Sequence, residues 1–113
     1  MRMVRPHFAL SELWSHDDHS FVQSDPALDL LEALRLRVGP LVVVSGYRSP
    51  AHNMAVHGAA HSLHVQGRAF DLAWGSYGRF ELLSEALAVG FTGIGLYSTW
   101  LHLDNGAPRV WWH

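Results

Sequence analysis

Between Arg68 and Trp74 the chain reads RAFDLAW, and along it large apolar side chains alternate with small or acidic ones. Successive side chains of a strand point to opposite faces of a sheet, so Phe70, Leu72 and Trp74 take one face and Ala69, Asp71 and Ala73 the other. Such a strand calls for a hydrophobic core on one side only. On the other side Asp71 stands on a face cleared by two alanines, with space for a ligand or metal. The segment WLHLDN repeats the pattern: Leu101 and Leu103 point one way, His102 and Asp104 the other, about 7 Å apart along the strand. If the two strands are neighbours, their polar groups converge.

Elements separated by Gly and Pro surround these strands, with no repeat, linker or low-complexity segment. A helix is expected from Asp25 to Val38, with Asp25 as cap, Pro26 in the first turn and Gly39-Pro40 as its end. Leu30, Leu31, Leu34 and Val38 form its apolar stripe, and Asp29 near its start and Arg35 and Arg37 near its end suit the helix dipole. LVVVSG, Leu41 to Gly46, reads as a buried strand. A short helix capped by Ser49, with Pro50 first, stops at Gly58. A third spans Tyr77 to Val89, capped by Ser76 and closed by Gly90, with Phe80, Leu83 and Leu87 inward. Strands around Phe91 to Tyr97 and Leu101 to Asp104 follow. Mixed order with short connections predicts a small α+β domain with a mainly antiparallel sheet, a single unit over 1–113 with an N-terminal segment at 1–24.

At 113 residues, 49% hydrophobic and 16% charged, the chain suits one compact core. No apolar run approaches the roughly 20 residues of a membrane helix, and MRMVRPHFAL has neither the apolar core nor the cleavage site of a secretory signal. The net charge of −2, with eight scattered basic residues, all arginine, argues against nucleic-acid binding. With no cysteine, nine histidines and the carboxylates are left as zinc ligands.

His64 and Asp71 are seven positions apart in SLHVQGRAFD. In a helix that is about 10 Å, in a strand more than about 20 Å, and neither lets them share an ion. They meet only if the chain folds back between them, where Gly67 permits an unusual backbone angle. Two His and one Asp make a three-ligand set that leaves a fourth zinc position for water.

SLHVQGRAFD fits the pattern S-x-H-x-x-G-x-A-x-D, and LHLD the later H-x-D or H-x-H element, of the M15-type zinc D-Ala-D-Ala carboxypeptidases and related murein endopeptidases, which this chain resembles. VVVSGYRSPAHN and GIGLYSTWLHLDNGAPRVWW are similar to flanking segments of that family, so the resemblance covers about Leu41 to Trp112. It implies the small α+β fold shared with the Hedgehog signalling domain, helices covering one side of the sheet. It also implies one zinc ion held by His64, Asp71 and His102, and Arg48 steadying the polarised carbonyl or a substrate carboxylate. Ser62 and Gly67 match positions that shape the loop. The implied reaction is metal-assisted hydrolysis of a peptidoglycan stem or cross-link, by a monomer that does not insert into membranes. Its place of action is the cell wall, in the periplasm or envelope, with a phage-encoded enzyme released by a lysis partner as one setting.

The chain departs from many members in having Thr99 three residues before His102, where they carry Glu or Asp as general base. Asp104 is then either the base or a partner that orients His102. His61 lines the cleft and delivers a proton, or sits on the surface. His52 and His57 border the site; His7, His16, His19 and His113 read as surface residues, and WSHDDHS as a flexible solvated loop. Tyr97, Trp100, Trp111 and Trp112 belong to core or rim, with Tyr97 and Trp100 as candidate walls of a peptide groove. Glu12 reads as a helix-start residue. A zinc-containing module that binds cell-wall peptide or a protein without cutting it stands as the alternative, because fold does not fix function. A purely structural zinc site would need a fourth protein ligand, from Asp104 or His61.

Overall fold

The strand Ala69–Ala73, β4 in chain order, lies near the middle of a five-stranded sheet and sets the register of its neighbours. The computed structural model describes residues 1–113. In chain order the elements are β1 (Met3–Arg5), β2 (Phe8–Ala9), a 3-10 turn (Leu10–Glu12), α1 (Asp25–Val38), β3 (Val43–Ser45) and α2 (Pro50–Ala55). A second 3-10 turn (Leu63–Gln66), β4, α3 (Arg79–Val89), β5 (Gly93–Leu96), β6 (Trp100–Asp104) and β7 (Arg109–Trp112) complete the chain. The sheet order is β3-β4-β6-β5-β7, antiparallel throughout except that β7 runs parallel to β5. This is the expected small α+β fold with a mainly antiparallel sheet.

The alternation of the two central strands decides which side is core. Phe70, Leu72, Leu101, Leu103 and Ile94 of β4, β6 and β5 meet Leu28, Leu31 and Leu34 of α1 and Leu82 and Ala86 of α3 in one apolar cluster, which Phe8 and Leu13 extend toward the N-terminus. The opposite face carries Asp71, His102 and Asp104, bordered by α2 and the second 3-10 turn. The two long helices therefore cover one face and leave the other for chemistry. No helix is long and apolar enough to cross a membrane.

Several local expectations are corrected. Ser24, not Asp25, is the cap residue of α1, with no side-chain cap bond; the Asp25 carboxylate accepts from Arg5 and Gln23 instead. Leu30 and Val38 are only partly buried, and Ala27 and Leu28 complete the buried stripe. LVVVSG is no buried strand: only Val43–Ser45 pairs, at the edge of the sheet with a register shift, and Val42 and Val44 are exposed. A β-branched run has the same appearance at an edge as in a centre.

α3 begins at Arg79 behind Gly78, with no contribution from a Ser76 cap, and Phe80 and Leu87 are 81% and 50% exposed. The helix is rotated so that Leu82 and Ala86 face the sheet, with Leu83 partly buried beside them. At about 100° per residue Phe80 lies about 200° from Leu82, on the solvent side. β5 and β6 differ from expectation by one or two residues at their ends, while β7 and the β1-β2 hairpin went unforeseen. WSHDDHS is no loose loop. Ser15 is buried, its Oγ accepts from the Ser49 backbone N–H at 2.9 Å, and Asp17 accepts from the hydroxyls of Ser15 and Ser49. His7 is exposed, as expected, with its ring 2.7 Å from the buried Glu32 carboxylate.

Candidate metal centre and its cleft

Asp71 and His102 are direct partners across the β4-β6 ladder, on the face away from the core. His64 reaches them from the second 3-10 turn. Ser62 caps that turn by accepting from the His64 backbone N–H, and Gly67 ends it in the left-handed conformation, φ 71°. A Cβ at Gly67 would also lie 2.3 Å from the Val22 carbonyl oxygen, so this fold-back is closed to other residues on two counts. One ligand atom from each of His64, Asp71 and His102 falls within 4.8 Å of the others, and His64 and Asp71 are 2% and 4% exposed.

The outer partners decide which imidazole nitrogens face inward. His64 Nδ1 lies 2.7 Å from the Gly46 carbonyl oxygen, which can only accept, so Nδ1 carries the proton and the Nε2 lone pair points at Asp71 Oδ1, 3.2 Å away. His102 Nε2 lies 2.7 Å from Asp104 Oδ2, leaving Nδ1 toward the same Asp71 oxygen at 3.0 Å. Two lone pairs and a carboxylate thus converge on one point, an arrangement that calls for positive charge. Burial lowers the His102 pKa, but the bonds to Asp104 and Asp71 outweigh burial and raise it. Burial likewise raises the Asp71 pKa, and the bonds with His102 and His64 more than reverse this, holding the carboxyl well below the usual carboxylate range. The donor set, two imidazoles and a carboxylate on one open side, fits a zinc ion with a fourth position free.

Both carboxylate oxygens of Asp104 are engaged. It is fully buried, Oδ1 accepts from Gly106 N–H and Arg109 Nη1, both at 2.9 Å, and Oδ2 accepts from Arg109 Nη2 at 2.7 Å as well as from His102. Burial raises its pKa, but the His102 and Arg109 bonds keep it ionised well below the usual range. The room for this clamp comes from β5, where Gly93 lies opposite Asp104 in the ladder and a Cβ would fall 1.9 Å from Asp104 Oδ1. Gly95, opposite His102, leaves space for the Trp111 indole, whose ring centroid is 5.1 Å from that of His102. Sequence reasoning missed Arg109. The signal available was GIG, glycines at alternate positions of an apolar strand, both on the site face.

Arg48 leaves the end of the SGYR segment to donate from Nη2 to Asp71 Oδ2 at 3.2 Å and from Nε to Ser45 Oγ at 3.1 Å, with Nη1 against Asn53 Oδ1. A cleft of about 430 Å³ opens over the three candidate ligands, with Arg48, His57, His61, Ser62, Tyr97 and Trp100 among its walls. His61 is exposed on its rim. Tyr97 and Trp100 stack, centroids 4.7 Å apart, and His113, exposed as expected, also stacks on Tyr97 and so lines the cleft. A second hollow of about 330 Å³ shares Arg48, Val56, Asp71 and Trp100 with the first and extends to His16, Val44 and His52. His16, expected as a plain surface residue, packs its ring 5.6 Å from that of His52. Thr99 is exposed and lines neither hollow. Glu12 is engaged at its own 3-10 turn, accepting from Ala9 N–H, and takes no part in the site.

Residues 6–104 match the family model described as peptidase M15. The chain is 36% identical over 88 residues to the zinc D-Ala-D-Ala carboxypeptidase of Streptomyces albus G, covering 72% of this chain and 34% of that protein. It is 31% identical over 85 residues to the probable peptidoglycan L,D-endopeptidase MepK of Haemophilus influenzae, covering 69% of this chain and 46% of that protein. The chain thus spans less than half the length of these two relatives.

Proposed function

Because this chain belongs to the M15 peptidase family, we propose that it is a zinc-dependent peptidase that hydrolyses a peptide bond in the stem or cross-link of peptidoglycan. The observation that carries the reading is the convergence of two imidazole lone pairs and the Asp71 carboxylate on one point at the floor of an open cleft, with the Arg48 guanidinium beside them. The names of the two relatives, one a zinc D-Ala-D-Ala carboxypeptidase and the other a probable peptidoglycan L,D-endopeptidase, support zinc as the metal and peptidoglycan as the substrate class.

In this reading His64, Asp71 and His102 hold one zinc ion, and the Gly46 carbonyl and Asp104 fix the tautomer and tilt of the two rings. The chemistry supplied by bound zinc is Lewis acidity toward the scissile carbonyl and the attacking water. Arg48 directs its remaining N–H groups at the carbonyl oxygen as negative charge develops there, a contribution of about 3 kcal/mol in comparable sites. His61, on the rim, accepts the proton of the water and returns it to the leaving amine, the work that Thr99 lacks the chemistry to do and Asp104 is too fully bonded to do. Tyr97 and Trp100 form an aromatic wall for the peptide, and Ser62 holds the turn that presents His64. The protein acts as a monomer at the cell wall.

The exposed Thr99 favours one other reading, a zinc-containing module that binds wall peptide without cutting it. Incubation of zinc-loaded protein with purified peptidoglycan, followed by mass spectrometry of the soluble fragments, separates the two. Zinc-dependent release of amino acid or peptide, lost in His64→Ala, is the expected result. Binding without product from folded, zinc-loaded protein would overturn the peptidase reading.

A further inference from the structure

Two histidines outside the candidate centre stand together on the wall of the second hollow. His16 belongs to the segment between β2 and α1 and His52 to α2, and their ring centroids are 5.6 Å apart with planes at 59°. A zinc–imidazole bond of about 2.0 Å, continued about 1.1 Å to the ring centre, puts two imidazoles on one ion with centroids about 5 to 6 Å apart at near-tetrahedral angles. The protein carries its own yardstick: the rings of His64 and His102 are 5.1 Å apart with planes at 71°. The second pair has nearly the same spacing.

Stacking or hydrogen bonding would be the ordinary reason for two histidines to meet, and neither applies. Planes at 59° are not stacked. The rings of His7, His64 and His102 each have a carboxylate or carbonyl partner, whereas those of His16 and His52 bond to nothing in the protein. Their nitrogens are free for a ligand, and the hollow of about 330 Å³ beside them has room for an ion with water in its remaining positions.

The pair is also held in place. Ser15 and Asp17, on either side of His16, both bond to Ser49: Ser15 Oγ accepts from its backbone N–H and Asp17 from its hydroxyl. Ser49 Oγ in turn caps α2 by accepting from the His52 backbone N–H. One cluster thus ties both histidines to Ser49. Asp17, held ionised by the two serine hydroxyls, adds negative charge next to His16, while the charge of Arg48 on the same hollow is balanced by Asp71.

From this geometry we infer that His16 and His52 form a second metal site, for a divalent cation such as zinc, nickel or copper, which joins the N-terminal segment to α2. Imidazole suits these ions, whereas magnesium and calcium take oxygen ligands. With two protein ligands against three, the site is weaker than the candidate centre: it fills only with metal in excess and empties on dialysis. The inference does not depend on the peptidase reading.

Protein carrying one equivalent of zinc is titrated with further zinc by calorimetry and, when 15N-labelled, by NMR. A second event of one equivalent is expected, with the His16 and His52 ring resonances shifting together. His16→Ala and His52→Ala should each weaken it at least about tenfold while keeping the first equivalent. His57→Ala should leave it unaltered, and magnesium should give no event. Absence of the second event, its persistence in either pair variant, or its equal loss in His57→Ala overturns the inference. A ligand of the folded state stabilises by mass action, so free zinc at about ten times the second dissociation constant should raise the unfolding temperature of the one-zinc protein by roughly 5 °C, and not that of the pair variants. An unmoved unfolding temperature alongside binding overturns the link between the N-terminal segment and α2.

Discussion

The His102 imidazole and the Asp104 carboxylate, two residues apart on β6, meet at 2.7 Å, and the acid is held in turn by both terminal nitrogens of Arg109. Neighbours of this kind on one strand face would ordinarily both be solvated. Here the acid is buried and the ring is turned, so that one nitrogen is spent on Asp104 and the other is offered to the site.

Asp104→Asn keeps the shape of this pair and removes its charge and its acceptor preference. The ring then loses the partner that fixes its tautomer, and zinc affinity should fall about 10- to 100-fold. Competition with a chromophoric chelator measures it. Wild-type affinity would show that Asp104 does not orient His102.

His64→Ala and His102→Ala each delete one inward lone pair from the three-group set. Stoichiometric zinc, measured by elemental analysis after dialysis, should be lost in both, with the folded state verified by circular dichroism. A full equivalent of zinc in either variant would remove that residue from the ligand set.

Gly93→Ala places a methyl where Asp104 Oδ1 now lies 1.9 Å from an ideal Cβ. Either β5 or the Asp104-Arg109 clamp must shift, at a cost of about 1 to 3 kcal/mol as for other overpacked sites. Urea denaturation gives the stability and the chelator assay the zinc affinity, and both should fall. A neutral variant would mean that the clamp is loosely held.

Asp17 carries a pH dependence away from the metal. The Ser15 and Ser49 hydroxyls hold its carboxyl well below the usual range. A depressed folded-state pKa stabilises the protein above the unfolded value, about 4, and the contribution is lost as pH falls further toward the folded value. Asp17→Asn should therefore lower the melting temperature at neutral pH and narrow its gap from wild type on acidification from pH about 5 to about 2. A gap that stays constant across that range would assign the effect to shape alone.

The pairing of Asp71 with His102 was legible because period-two alternation states which residues share a face, and two strands with polar groups on equivalent faces can bring them together. The return of His64 was legible through Gly67. Nothing local told that Val43–Ser45 would be an edge strand or that Phe80 would face water, since those outcomes depend on which partners the element meets and how it is rotated against them. Arg109 was hidden for another reason. An arginine on a terminal strand has no pattern of its own, and its partner became visible only when β7 lay parallel to β5. Gly93 and Gly95 recorded that arrangement in advance, as absent side chains.

The bonded cluster that fastens the N-terminal segment over α2 has an evolutionary consequence. All three candidate ligands lie beyond residue 63, whereas His16, on the wall of the second hollow, lies before residue 20. Substitutions in that early stretch can reshape the second hollow while the three candidate ligands are inherited intact, so the two parts of the gene can change at different rates.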